Sequence, residues 1–280
     1  MEIFQSTWAM QDLPSASRPW GLQEVVDRIS QAGFSGALHW VADENVDFEM
    51  VQRLRRSGLM VGVGFPTRPG EPAKSLAQRA QDLGVSFLNA QVHDDFVDDA
   101  EAIAGLEGLY ADCDATGMPL FVETHRGTIT QDLVRTVAYG RQFARVQFTL
   151  DASHYVLAGE VREPDLAPRF SEALGEIIRR SSSIHARVSN GEQIQVDVGD
   201  GAGALTGAYV AWWTSAYKHW LGEAAPGDFF PFVCELGPAP YAITAAEGKG
   251  MPAGAELSDR FAQAMVFKTI AGRIQGRVTL

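Results

Sequence analysis

A (β/α)8 barrel is the fold class that this chain predicts, and two observations lead to it. Short β-branched and aromatic runs alternate with longer segments of helical periodicity eight times over. Such alternation implies parallel strands joined by right-handed crossovers. Acidic and histidine side chains also collect at the ends of the apolar runs, the face where barrels of this class carry their chemistry. An open, doubly wound sheet satisfies the alternation too, but a closed barrel is the simpler arrangement. The 280 residues contain no linker or low-complexity tract and fit one barrel of ordinary size, so 1–280 is read as a single domain.

The first strand is Ile3 to Trp8. Its helix sets Leu22, Val25, Val26 and Ile29 on one face and closes at Gly33. Strand two, Phe34 to Trp40, leads to a helix with Val51 and Leu54 inward, ending at Gly58. Strand three, Leu59 to Phe65, precedes Leu76, Ala80 and Leu83, with Gly84 as the stop. Strand four is Val85 to Val92, and its helix carries Ile103, Leu106 and Leu109 and ends near Gly117. Strand five is Leu120 to Thr124, after which Thr128 or Thr130 caps a helix with Leu133, Val134 and Val137. Strand six is Val146 to Ala152, followed by Leu166, Phe170, Leu174 and Ile177. Strand seven, Ser183 to Val188, gives way to the loop Gly199 to Gly203, a lid or a lead into the aromatic helix Leu205 to Leu221. Strand eight is Phe229 to Leu236, and the last helix is Leu257 to Ile274.

Composition narrows the function. Hydrophobic residues make up 46% and charged residues 21%, as in soluble globular proteins. With 35 acidic against 23 basic residues and no long Lys/Arg cluster, nucleic acid is not the expected partner. Cys113 and Cys234 form neither a disulfide framework nor a zinc-finger spacing, which points to a reducing compartment, the cytoplasm. Met1 to Met10 lack the pattern of a signal peptide, and no apolar run approaches the roughly 20 residues of a membrane span, so no membrane is expected.

Five of the six histidines, His39, His93, His125, His154 and His185, fall at or just beyond strand ends, and only His219 lies in a helix. Glu123, Asp151 and Glu235 follow the apolar pairs Phe121-Val122, Leu150 after Thr149, and Val233-Cys234. A carboxylate ending an apolar strand is costly unless paired or bound to metal. One such residue alone is commonly a cap or a surface ion pair. Four on strands five to eight, Glu123, Asp151, His185 and Glu235, make a mixed oxygen and nitrogen ligand set suited to one Mn²⁺, Mg²⁺ or Co²⁺, with Zn²⁺ also admissible. Strand alternation turns Cys234 to the other side, so a structural zinc site is not expected.

The segments Phe121-Val122-Glu123-Thr124-His125-Arg126, Leu150-Asp151-Ala152-Ser153-His154, Ile184-His185-Ala186-Arg187 and Cys234-Glu235-Leu236-Gly237 resemble the xylose isomerase-like TIM barrels. That superfamily includes sugar isomerases and epimerases, dehydratases and metal-dependent apurinic endonucleases. The resemblance covers nearly the whole chain. It implies that Glu123, Asp151, His185 and Glu235 are metal ligands, and that Glu123 and Glu235 also move protons. It implies that His154 and Arg187 contact substrate. The extra ligands of a three-metal endonuclease are lacking.

Other strand-end residues join the substrate-binding candidates: Trp8 and Trp40 as an apolar wall or as core, Gln91 and Asn89 for hydroxyls, and His125. Arg126 fits an ion pair or an anionic group. The helix with Trp212, Trp213, Tyr217 and Trp220 suits packing or the interface of a homo-oligomer. Three functions fit these residues: an isomerase or epimerase of a small carbohydrate-like substrate, a lyase or dehydratase on the same site, and a non-catalytic metal- or sugar-binding barrel.

Overall fold

Period-two alternation in short apolar strands sorts side chains between a helical shell and a barrel interior. The computed structural model describes residues 1–41, 48–162, 167–246 and 251–279. In it, β1 (Glu2–Ser6), β2 (Gly36–Trp40), β3 (Met60–Pro66), β4 (Phe87–Gln91), β5 (Leu120–Glu123), β6 (Phe148–Leu150), β7 (Ser181–Ala186) and β8 (Pro231–Cys234) close into a barrel in sequence order. Every neighbouring pair is parallel, including β1 with β8. The helices are α1 (Leu22–Gln31), α2 (Glu49–Arg56), α3 (Lys74–Asp82), α4 (Asp99–Asp114), α5 (Leu133–Gln142), α6 (Ala152–Ala158), α7 (Pro168–Ile178), α8 (Ala204–Glu223) and α9 (Arg260–Val278). No helix among the described residues is long and apolar enough to cross a membrane.

Among the described residues, two apolar clusters hold the molecule. The larger lies between strands and helices, where Trp213 of α8 packs edge-on against Phe232 of β8 and Phe267 of α9. The smaller fills the barrel interior with Phe4, Leu38, Phe87, Phe121 and Val233. Burying each of these side chains contributes about 1.5–3 kcal/mol. Two residues further along three of these strands, polar groups replace them: Asn89 after Phe87, Glu123 after Phe121, and Glu235 after Val233. The end of the barrel that carries these polar groups thus rests on an apolar floor.

Several boundaries differ from the sequence reading, each for a local reason. Trp8 leaves β1 and opens a 3-10 turn, Trp8–Met10. Strand six stops at Leu150, because Asp151 accepts from the Ser153 backbone N–H and starts α6; the apolar Tyr155-Val156-Leu157 run belongs to this helix. Asp132, not Thr128 or Thr130, caps α5. The Thr130 hydroxyl is spent on the carbonyl of Glu123 and the N–H of His125, which fold the loop back. Asp259 likewise caps α9, so Leu257 precedes it and is exposed. Gly201 packs against Val266 and Ile270 of α9, and Gly203 is the N-cap of α8, so the glycine-rich loop is a lead into the helix rather than a lid. Leu166 lies outside the described residues.

Candidate metal centre

The four residues proposed as ligands come from four consecutive strand ends. Glu123 ends β5, Asp151 follows β6, His185 lies in β7, and Glu235 follows β8. All four are buried, and one donor atom from each lies within 4.8 Å of the others. Their neighbours fix them from behind. Asn89 and Gln91 of β4 donate to Glu123 Oε2 at 2.9 and 3.2 Å. Ser153 donates its N–H to Asp151 Oδ1 at 3.0 Å. Arg187 donates from Nη2 to Glu235 Oε2 at 2.8 Å and from Nε to the Glu235 carbonyl at 2.9 Å.

What these partners leave free tests whether a cation fits. Asp151 Oδ2 and His185 Nε2 are buried without a hydrogen-bond partner, and Glu123 Oε1 and His185 Nδ1 approach each other without good hydrogen-bond geometry. His185 Nδ1 sits 3.2 Å from Glu123 Oε1 and 2.9 Å from Glu235 Oε2. Orphaned buried acceptors of this kind are costly unless another group satisfies them. Three carboxylates and an imidazole form the donor set of a hard or borderline divalent ion. The residues present therefore fit one.

The protonation states follow from the same crowding. Burial alone would lower the His185 pKa, but Glu235 and Glu123 outweigh it and hold the ring up at about 10. Burial would raise Glu123, yet His185, with His125 and Gln91, pulls it down to about 2. Asp151 is raised, since burial exceeds the attraction of Arg187, whose Nη1 lies 3.5 Å from Asp151 Oδ2. His154 is pushed well below its ordinary value by burial and by its neighbours His125 and Arg187.

Above the four residues opens a cleft of about 230 Å³. That is smaller than the roughly 300–1,000 Å³ of pockets for drug-sized ligands. Trp8, Trp40, Gln91, His125, Arg187 and Glu235 all line it. His154 lies beneath His125, ring centroids 4.0 Å apart, with its Nδ1 unpartnered. His39 and His93 stay outside the cluster, bonded to Thr7 and Thr67 at 2.8 and 3.0 Å. Asn89 serves Glu123 rather than the open cleft. Cys234 faces α9, its Sγ 3.5 Å from the Ala264 carbonyl.

Tyr241 was not among the sequence candidates. It packs edge-on against Trp8 at 5.0 Å, its hydroxyl lies 3.3 Å from His125 Nε2, and it lines the cleft. Its loop is held by Gln195, which bonds both the N–H and the carbonyl of Gly237 at 2.7 and 3.2 Å. The Trp8 ring lies where a side chain on Gly237 would begin: a Cβ there would meet Trp8 at 2.1 Å.

A parallel barrel with three buried carboxylates and an imidazole at its mouth carries a donor set that could hold a metal ion. No family model matches the sequence, and no curated protein matches it. Solved structures share its fold. A D-allulose 3-epimerase from Methylomonas sp. in complex with D-allulose has a TM-score of 0.62 at 14% identity, covering 98% of this chain and 96% of the other. A xylose isomerase-like TIM barrel protein from Mycobacterium smegmatis in complex with magnesium gives 0.59 at 14%, covering 99% and 97%. The probable 3-DHS dehydratase of Bacillus anthracis gives 0.54 at 13%, covering 97% and 98%. The chain thus shares its barrel fold with these structures, one of them a xylose isomerase-like TIM barrel protein.

Proposed function

We propose that this protein is a divalent-metal-dependent isomerase or epimerase of a small, sugar-like hydroxyketone or hydroxyaldehyde. The observation that carries this reading is the placing of Glu123 Oε1 and Glu235 Oε2 around one imidazole nitrogen, 3.2 and 2.9 Å away, at the base of a small cleft. Glu123, Asp151, His185 and Glu235 would hold one ion, Mn²⁺, Mg²⁺ or Co²⁺ before Zn²⁺. Such an ion would supply stabilisation of the negative charge that develops on substrate oxygen when the proton leaves.

The chain's own groups account for the rest. Glu235 reaches the cleft and removes or returns a proton on carbon next to a carbonyl, the product of removal being an enediolate. Glu123, which also approaches His185 Nδ1, serves the second face. Proton loss from one face and return to the other inverts the carbon, whereas return to the neighbouring carbon converts ketose to aldose. Arg187 keeps Glu235 aimed through two bonds to the same residue. Trp8 and Trp40 present flat apolar surface to the C–H face of the substrate and exclude water.

The test is incubation of Mn²⁺-loaded protein in heavy water with a panel of ketoses, aldoses and cyclic keto-polyols. Deuterium at one carbon beside the carbonyl, with otherwise unchanged mass, supports this reading. Loss of water from the product replaces it with a lyase. No exchange into any member, with the metal bound, returns the weight to a non-catalytic barrel.

A further inference from the structure

Opposite charges meet at the cleft. Glu235 lines it, with Glu123 and Asp151 close behind. Arg187 and Tyr241 line it too, and Arg126 lies just behind the Tyr241 wall: both guanidinium carbons, of Arg126 and of Arg187, lie 4.8 Å from the Tyr241 ring centroid. Arg187 is buried and compensated, 2.8 Å from Glu235 and 3.5 Å from Asp151. Arg126 differs. It is half-buried and makes no ion pair with any carboxylate among the described residues. Its position is nonetheless fixed, because His125 Nδ1 bonds the Arg126 carbonyl at 2.5 Å while the Tyr241 ring holds the side chain.

A dication seated among the three carboxylates and neutral His185, together with Arg187, cancels their negative charge. Arg126 is then left as one uncompensated positive charge against Tyr241, a residue of the cleft wall. A fixed guanidinium beside an aromatic ring, without an internal partner, suits a planar or tetrahedral oxyanion, since its fork matches carboxylate and phosphate alike. We infer that the substrate is anionic, and that Arg126 grips its carboxylate or phosphate while the neighbouring hydroxyl and carbonyl oxygens face the metal centre. This rests on the proposed metal-dependent reading for the orientation of the substrate, but the charge preference is a separate property of Arg126.

Three probes share one hydroxyketone and lack stereocentres: dihydroxyacetone, hydroxypyruvate and dihydroxyacetone phosphate. Their affinity for Mn²⁺-loaded protein is measured by calorimetry, for the natural chain and for Arg126→Gln. At least one anionic probe is expected to bind about tenfold or more tightly than dihydroxyacetone. Arg126→Gln should erase most of that preference and leave dihydroxyacetone unchanged. Whichever anion loses affinity identifies carboxylate or phosphate as the recognised group. The variant arm also removes direct chelation as an explanation, because chelation survives it. Equal binding of neutral and charged probes, a preference that persists in Arg126→Gln, or no binding of either anion at millimolar concentration overturns the inference. An Arg126-dependent preference without deuterium exchange would instead sink the isomerase reading alone.

Discussion

Arg187 holds Glu235 at both ends, donating to its carboxylate at 2.8 Å and to its backbone carbonyl at 2.9 Å. One side chain thus fixes the position and the charge of a candidate proton-transfer group. Both are buried, and removing one partner from such a pair costs about 3–5 kcal/mol, because the other charge is left uncompensated. Arg187→Ala should lower the free energy of unfolding in urea by about that amount. Arg187→Lys, keeping the charge but losing the fork, should recover only part of it. A loss below about 1 kcal/mol for Arg187→Ala would mean that the pair is solvated in a way this geometry does not allow.

The raised pKa of His185 sets a pH dependence. Its folded value, about 10, stands above its ordinary 6.5. In metal-free protein, protonated His185 therefore stabilises the fold fully below about pH 6.5, and that contribution is lost as pH rises through 10. A metal ligand must be unprotonated. Binding of Mn²⁺ at pH 7 should thus release about one proton, and affinity should fall as the medium is acidified. Calorimetry in buffers of different ionisation enthalpy measures the release; heats independent of buffer would contradict it.

Gly237 is expected to control the cleft wall. A Cβ there would collide with the Trp8 ring at 2.1 Å, and the ring would have to move. Gly237→Ala should raise KM severalfold with less effect on kcat, and should alter Trp fluorescence. An unchanged KM for a substrate found by the exchange panel would remove Trp8 from the binding surface.

Much of this arrangement was legible in the sequence, and the part that was not has identifiable causes. The eight-fold alternation is a local signal, written into each apolar run. So are Glu123, Asp151 and Glu235, because a carboxylate at the end of an apolar strand stands out against its neighbours. The helix α6 was hidden, since Ala152 to Ala158 continues an apolar texture and the switch depends on one Asp151 bond to Ser153. Tyr241 was hidden for the opposite reason. Its place depends on Gln195 clamping Gly237 from 42 residues earlier, a contact that no periodicity encodes. Thr128 and Thr130 misled because a hydroxyl before a helix reads as a cap, whereas here both hydroxyls bond within the loop.

The central claim is that Glu123, Asp151, His185 and Glu235 together hold one divalent ion. Titration of metal-free protein with Mn²⁺, followed by electron paramagnetic resonance of free ion, tests it most directly. The natural chain should bind one Mn²⁺ per chain, and Asp151→Asn should weaken that binding by at least about tenfold, since a charged donor becomes neutral at a buried site. A matched substitution away from the cluster, Asp27→Asn on the exposed side of α1, should leave it unchanged. Absence of stoichiometric binding in the natural chain, or equal binding by Asp151→Asn, would contradict the account.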